Sequence, residues 1–308
     1  MNIVCATDDN FVQHCTIMLT SLLLNNKGAN IYLLTEGLKF ENEKIIREQV
    51  EALGGTLNVC FIDTSIVERF PMPADKNLTH ISRATYYRLL IPEILPLDVG
   101  KIIYLDCDII VNGSLQELWD VNMAEYALAA VPQIGSGYEA ERLGYPMEYG
   151  YFNAGVNVIN MDYWRNNATS QLLIDYLTTN YAYIKYHDQD VLNVVCGKKT
   201  KMLSYTWNTM NYFFMKNFQL SQDRVLKIYQ KEEQTNVIDP TIIHFASRPK
   251  PWERLCIHPF AHEFDKYLRL TPYKGIKKKK NSVGEFWNLV IKPMVLGYHR
   301  YTYVRVCG

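Results

Sequence analysis

Apolar and polar positions along the first half of the chain follow two rhythms in turn. Asn2–Thr7 is a short apolar run of strand length, and Phe11–Leu24 then places apolar residues at helical spacing. Asn30–Thr35 is again strand-like. Glu41–Leu53 is a charged amphipathic helix that stops at Gly54-Gly55, and Leu57–Ile62 repeats the strand pattern. Strands alternating with helices predict right-handed crossovers and a mostly parallel sheet flanked by helices, an α/β fold. Ligands of such sheets bind at the carboxyl ends of the strands.

Farther along, Ser82–Ile91 predicts a helix stopped before Pro92. Lys101–Val111 is very apolar, Tyr126–Val131 and Asn153–Met161 predict strands, and Asp162–Tyr181 and Gln189–Cys196 predict helices. Thr241–Ala246 is a last short strand. Beyond Lys250 the composition turns to proline, aromatics and lysine, so a boundary near Pro251 separates residues 1–250 from a short helical, basic extension, 251–308.

The sharpest departure from the apolar pattern is Lys101-Ile-Ile-Tyr-Leu-Asp106-Cys-Asp108. Burying ionised carboxylates costs several kcal/mol each unless they are paired or bound to a cation. Strand periodicity puts Asp106 and Asp108 on one side and Cys107 on the other. Two like charges on one face repel, and a divalent cation relieves both problems. A strand end with two solvated acids is the plainer alternative.

A second cluster, Ile242-Ile-His244-Phe-Ala-Ser247-Arg-Pro-Lys250-Pro-Trp252, again begins on a strand. His244 there can ligate a metal or close a core edge. With Asp106 and Asp108 it makes a donor set suited to Mn²⁺ or Mg²⁺, while Lys250 offers a point charge to a phosphate. Ala6-Thr7-Asp8-Asp9-Asn10 follows the first strand, where a nucleotide base or ribose would sit, and its polar residues are equally good N-caps for the next helix. His187-Asp188-Gln189-Asp190 opens a helix. Its acids either cap that helix or stand beside a reacting carbon. In Phe152-Asn153-Ala-Gly155 a small residue interrupts an apolar run, leaving room for a sugar ring near the backbone. Gly135-Ser-Gly137-Tyr-Glu-Ala140 matches a dinucleotide fingerprint but lacks the surrounding strand–turn–helix unit that would give it meaning.

Composition then narrows the classes. The chain has 308 residues, 48% hydrophobic and 21% charged, which excludes a disordered or fibrous protein. Lys+Arg and Asp+Glu balance at 32 each. Residues 274–308 nevertheless hold eight basic residues against one acid, Glu285, so the first 273 carry seven more acids than bases. That acidic body argues against nucleic-acid binding. Seven scattered cysteines without a Cys-x-x-Cys pair read as core residues of a reducing compartment. With no leader-like start, the expectation is a cytoplasmic protein.

Taken together and in this order, these motifs resemble glycosyltransferase family 8, from the first strand to about Trp252. Within it, the chain looks like the bacterial lipopolysaccharide galactosyl- and glucosyltransferases. The resemblance implies a Rossmann-like GT-A fold and a metal-dependent, retaining hexosyltransferase (EC 2.4.1-type) that uses a UDP-hexose donor, UDP-glucose or UDP-galactose. It implies Asp106, Asp108 and His244 as metal ligands, and Ala6, Thr7, Asp8 and Asn10 as uridine contacts. It also implies Arg83 as a donor-site arginine, Ser247 and Lys250 at the diphosphate, and Asn153, Gly155, Asp188 and Gln189 at the donor sugar, with Gln189 near the anomeric carbon. Asp106, Asp188 and Gln189 are then the catalytic candidates. Ser247 stands where the family commonly has glycine, which puts backbone donation to the diphosphate in doubt.

The acceptor is expected to be a glycan or lipid-linked glycan, met by the segments around Gly135–Tyr151 and Tyr205–Phe218. Lys277–Lys280, followed by Phe286, Trp287, Met294 and several tyrosines, suits peripheral attachment of 274–308 to the anionic inner face of a cell membrane; Pro293 argues against one unbroken helix there. Two other readings are a haloacid-dehalogenase-like phosphatase, whose nucleophile strand also carries Asp-x-Asp, and a nucleotide-sugar-binding protein without turnover.

Overall fold

The computed structural model describes residues 1–68, 70–71, 83–133, 137–214, 239–256 and 258–295. The strands are β1 (Asn2–Ala6), β2 (Asn30–Thr35), β3 (Thr56–Phe61), β4 (Lys101–Leu105), β5 (Ile109–Val111), β6 (Leu128–Pro132), β7 (Phe152–Asn160), β8 (Thr200–Met202), β9 (Thr209–Met210) and β10 (Ile242–His244). Seven of them form one sheet in the order β3-β2-β1-β4-β7-β6-β8, and β5-β10-β9 form a smaller one. The large sheet is parallel except for β7, which runs antiparallel to its neighbours β4 and β6. This is the mixed, mostly parallel sheet that the alternating pattern predicts.

Period-2 alternation feeds two cores. Ile3 and Cys5 of β1 and Ile103 and Leu105 of β4 join Met18 and Leu22 of the helix Val12–Asn25 on one face. Val4, Ile102 and Tyr104 point the other way, toward Tyr86, Trp164 and Leu173. Each such side chain, fully buried, contributes roughly 1.5–3 kcal/mol. The helix Ala261–Leu268 closes the far side of Val12–Asn25: its Phe264 and Tyr267 share a third cluster with Ile17, Ile243 and Phe245. The first part of the C-terminal extension therefore packs into the same body as the strands.

Four elements depart from the pattern-based reading. Lys101–Val111 is not one strand: β4 stops at Leu105, the chain turns at 106–108, and β5 joins the other sheet. The side-to-side alternation expected of Asp106, Cys107 and Asp108 is thus replaced by a corner. The backbone explains it. Asp106 N–H is still bonded to the Gly155 carbonyl of the large sheet, while the Asp108 carbonyl already accepts from Phe245 N–H beside the small one. Asp162–Tyr181 divides into Met161–Asn166 and Thr169–Thr179 at Ala168, whose φ is +48°. The segment before Pro92 is a 3-10 helix, Arg83–Leu90, and Pro92 lies in the first turn of the next helix, Ile91–Ile94, where its missing N–H costs nothing. At the C-terminus, helical turns run without a gap from Val283 to Val295, through a π-helical stretch at Trp287–Ile291. Among the described residues no helix is long and apolar enough to cross a membrane, and the six described cysteines are free thiols.

Candidate active site

The corner between the two sheets gathers the chemistry. Asp106 and Asp108 project from the turn after β4, and His244 is the last residue of β10, which pairs with β5 directly beyond the turn. One donor atom from each of Asp106, Asp108 and His244 lies within 4.8 Å of the other two. His244 Nε2 stands 3.1 Å from Asp108 Oδ1. Two carboxylates and an imidazole at this spacing fit a six-coordinate divalent cation such as Mn²⁺ or Mg²⁺.

Two basic side chains compensate the acids. Lys250 Nζ lies 2.6 Å from Asp108 Oδ2 and also donates to the carbonyls of Phe245 and Ala246. Arg88 bridges two acids: its guanidinium is 2.6 Å from Asp106 Oδ1 and 2.9 Å from Asp188 Oδ2. It also donates to the Ala154 carbonyl and lies 4.0 Å over the Tyr104 ring. Burial opposes ionisation of Asp108, but Lys250 and His244 outweigh it and hold the carboxyl well below the usual range. At Asp188 the balance falls the other way. Burial raises its carboxyl above the ordinary value in spite of Arg88 and the hydroxyl of Thr85.

These groups line a cleft of about 250 Å³ whose wall includes Ala6, Thr7, Asp8, Thr85, Arg88, Asp106, Asp108 and Lys250. Asp8 also caps the following helix, with Oδ1 accepting from the N–H groups of Asn10 and Phe11. Asn10 faces a neighbouring cavity of about 710 Å³ that shares Phe11 and Lys250 with the first. Ser247 is exposed, and its N–H makes one long contact, 3.4 Å, to Asn211 Oδ1.

Gly155 serves a different neighbour from the one the sequence suggests. A Cβ there would stand 2.3 Å from His244 Cε1 and 2.7 Å from its Nδ1. The space left by the missing side chain holds the imidazole, so the room predicted for a sugar ring is taken. Gln189 uses all four hydrogen-bonding positions of its amide: Nε2 donates to Gln133 and Tyr151, and Oε1 accepts from Asn153 and from Ala154 N–H. Asp190 is wholly buried and accepts from Tyr151, Arg142 and the N–H groups of Lys185 and Tyr186.

The side chain of Arg83 lies outside the described residues, as do the Gly135-Ser pair and residues 215–218 of the expected acceptor segment Tyr205–Phe218. Arg88 is the arginine that the structure brings to the acids. A signal for it was available, since it stands among Tyr86, Tyr87, Leu89 and Leu90 and an arginine set in an apolar run needs a buried partner. Asn208, which contacts His244, carries no comparable signal because its loop has no periodicity.

A mixed sheet of this order, with an Asp-x-Asp corner and an imidazole at the carboxyl edge, is the architecture of a GT-A glycosyltransferase. The family model for glycosyl transferase family 8 matches residues 2–256, and the chain belongs to that family. Among curated proteins it is 28% identical over 282 residues to general stress protein A of Bacillus subtilis, covering 90% of this chain and 96% of that one. It is 29% identical over 274 residues to the lipopolysaccharide 1,3-galactosyltransferase of Salmonella typhimurium, covering 85% and 76%. Among solved structures, the galactosyltransferase LgtC in complex with donor and acceptor sugar analogs superposes with a TM-score of 0.76 at 26% identity, covering 94% of this chain and 99% of that one. The chain is a glycosyltransferase, and the phosphatase reading falls with the family assignment.

Proposed function

We propose that this protein is a retaining, cation-dependent hexosyltransferase that moves glucose or galactose from a UDP-sugar to a glycan acceptor in cell-surface glycan synthesis, lipopolysaccharide among the candidates. The observation that carries the reading is the meeting of Asp106, Asp108 and His244 with Lys250 and Arg88 at one corner.

Mn²⁺ or Mg²⁺ would be held by Asp106, Asp108 and His244, and when bound it supplies Lewis-acid stabilisation of the charge that develops on the diphosphate. Lys250, now spent on Asp108 and two carbonyls, would turn its ammonium to the same phosphates once that charge is compensated. Ala6, Thr7, Asp8 and Asn10 would contact the uridine, and the exposed Ser247 would add its hydroxyl or N–H at the diphosphate. Arg88 locks Asp106 and Asp188 in place, and Asp188 and Asn153 would orient sugar hydroxyls, with Gln189, its amide spent on protein partners, holding Asn153 beside the donor sugar. An electrostatic contact of this kind is worth roughly 3–4 kcal/mol of barrier. Retention through a covalent intermediate needs a free nucleophile. The Gln189 amide is saturated and Asp190 is buried beneath four donors, which favours attack by the acceptor on the same face from which UDP departs.

The expected result is slow release of UDP from one UDP-hexose with Mn²⁺, abolished by EDTA; binding of UDP without turnover would favour an inactive module. Residues 274–308, the basic part of the extension 251–308, would attach the enzyme to the cytoplasmic face of a membrane. Lys277–Lys280 shortly precede Phe286 and Trp287 in the chain, and these two stay half-exposed at 45% and 55%. Co-sedimentation with anionic vesicles, lost at high salt, is the expected outcome, and equal binding to neutral vesicles would contradict it.

A further inference from the structure

A chain of hydrogen bonds leads from His244 away from the acids to Asp190, and every link has the same polarity. His244 Nδ1 lies 2.8 Å from Asn208 Oδ1. Asn208 Nδ2 donates to Asn153 Oδ1 over 2.9 Å, and Asn153 Nδ2 donates to Gln189 Oε1 over 3.0 Å. Gln189 Nε2 donates to the Tyr151 hydroxyl over 3.0 Å, and Tyr151 donates to Asp190 Oδ1 over 2.6 Å.

Fixed groups set that direction. Backbone N–H groups can only donate, and those of Ala154 and Gly155 donate to Gln189 Oε1 and Asn153 Oδ1, over 3.1 and 2.9 Å. Reversing either amide would set donor against donor. At the far end the Asp190 carboxylate can only accept, and its remaining partners, Arg142 and the N–H groups of Lys185 and Tyr186, all donate to it.

The consequence reaches the imidazole. Asn208 must present its NH₂ to Asn153 Oδ1 and therefore its oxygen to His244, so Nδ1 carries a proton. In the neutral ring Nε2 is then a lone pair aimed at Asp108 Oδ1, 3.1 Å away. Two acceptors facing one another need a positive charge between them, either a proton on Nε2 or a metal cation that displaces it. We propose that Asn208 is a positioning residue that holds His244 as its Nδ1–H tautomer and so presents Nε2 to a divalent cation beside Asp106 and Asp108. The proposal rests on reading that cluster as a cation site. Asn208 is itself fully buried, so no solvent replaces its oxygen if it is lost. Removing the partner of a ligating histidine typically weakens metal binding about 10–100-fold.

Two measurements test it. ¹⁵N NMR of histidine-labelled, EDTA-treated protein at alkaline pH should show the proton of His244 on Nδ1; a proton on Nε2 would overturn the proposal without any variant having to fold. In calorimetric titrations of Mn²⁺, Asn208→Leu should bind about 10–100-fold more weakly than wild type. Asn208→Asp keeps an acceptor for Nδ1–H but gives up the donor to Asn153 Oδ1, and should lose clearly less affinity than Asn208→Leu. Unchanged affinity in Asn208→Leu, or equal loss in both variants, would refute the role. Wild-type protein that binds no Mn²⁺ while carrying its proton on Nδ1 would instead refute the cation reading and leave the tautomer assignment standing.

Discussion

Asp108→Asn is expected to lower metal-dependent UDP release by about a thousandfold or more, equivalent to ~4 kcal/mol at 1.36 kcal/mol per tenfold. Asp108 is the point at which the site's charges converge. Lys250 reaches one of its oxygens over 2.6 Å and His244 Nε2 the other over 3.1 Å. An amide there keeps the shape but offers a cation one neutral oxygen in place of an anion. The fold should tolerate the change. Lys250 keeps two carbonyl partners, and the corner loses one of three acids, Asp106, Asp108 and Asp188, that face only two strong bases. Thermal unfolding in EDTA should therefore move little while Mn²⁺ titration shows weakened binding. Transfer near the wild-type rate in Asp108→Asn would mean that the acids serve only to anchor Lys250 and Arg88.

The second large effect is expected at a residue with no functional group. In Gly155→Ala the added methyl would overlap the imidazole, at 2.3 Å from Cε1, and one side must give way. The strand cannot move freely, because β7 lies between β4 and β6 and the Gly155 carbonyl holds Asp106 N–H over 2.9 Å. His244 should be the one displaced, losing both Asn208 and its place beside Asp108. Overpacking of this kind typically costs about 1–3 kcal/mol of stability. The larger consequence should be Mn²⁺ affinity reduced by about 100-fold, the upper end of what disturbing a ligand's support costs. The measurement separates two ideas about this glycine. If it made room for a sugar ring, the substitution would raise KM for the donor and leave Mn²⁺ affinity untouched.

That contrast shows where sequence reading succeeds and where it stops. β1 to β3 and their intervening helices are legible because strand and helix periods alternate cleanly and Gly54-Gly55 punctuates them. Asp106, Asp108 and His244 are legible because charge inside or beside an apolar strand demands compensation. The split of Lys101–Val111 between two sheets is not, since β5 and β10 are three residues each and their pairing is set by contacts remote in sequence. The partner of Gly155 is hidden for the same reason. The glycine signals a close approach, but only the fold shows that the approaching group is His244. Arg88 could have been found from its apolar neighbours, whereas Asn208 required the structure.

In the function proposed above, this corner would hold a cation that supports departure of UDP from a hexose. The most direct test is UDP release from a panel of UDP-sugars with Mn²⁺, with and without EDTA, in wild type and Asp108→Asn. Turnover of one UDP-hexose should require the metal and disappear in the variant. Turnover that persists undiminished in EDTA would contradict the cation's role.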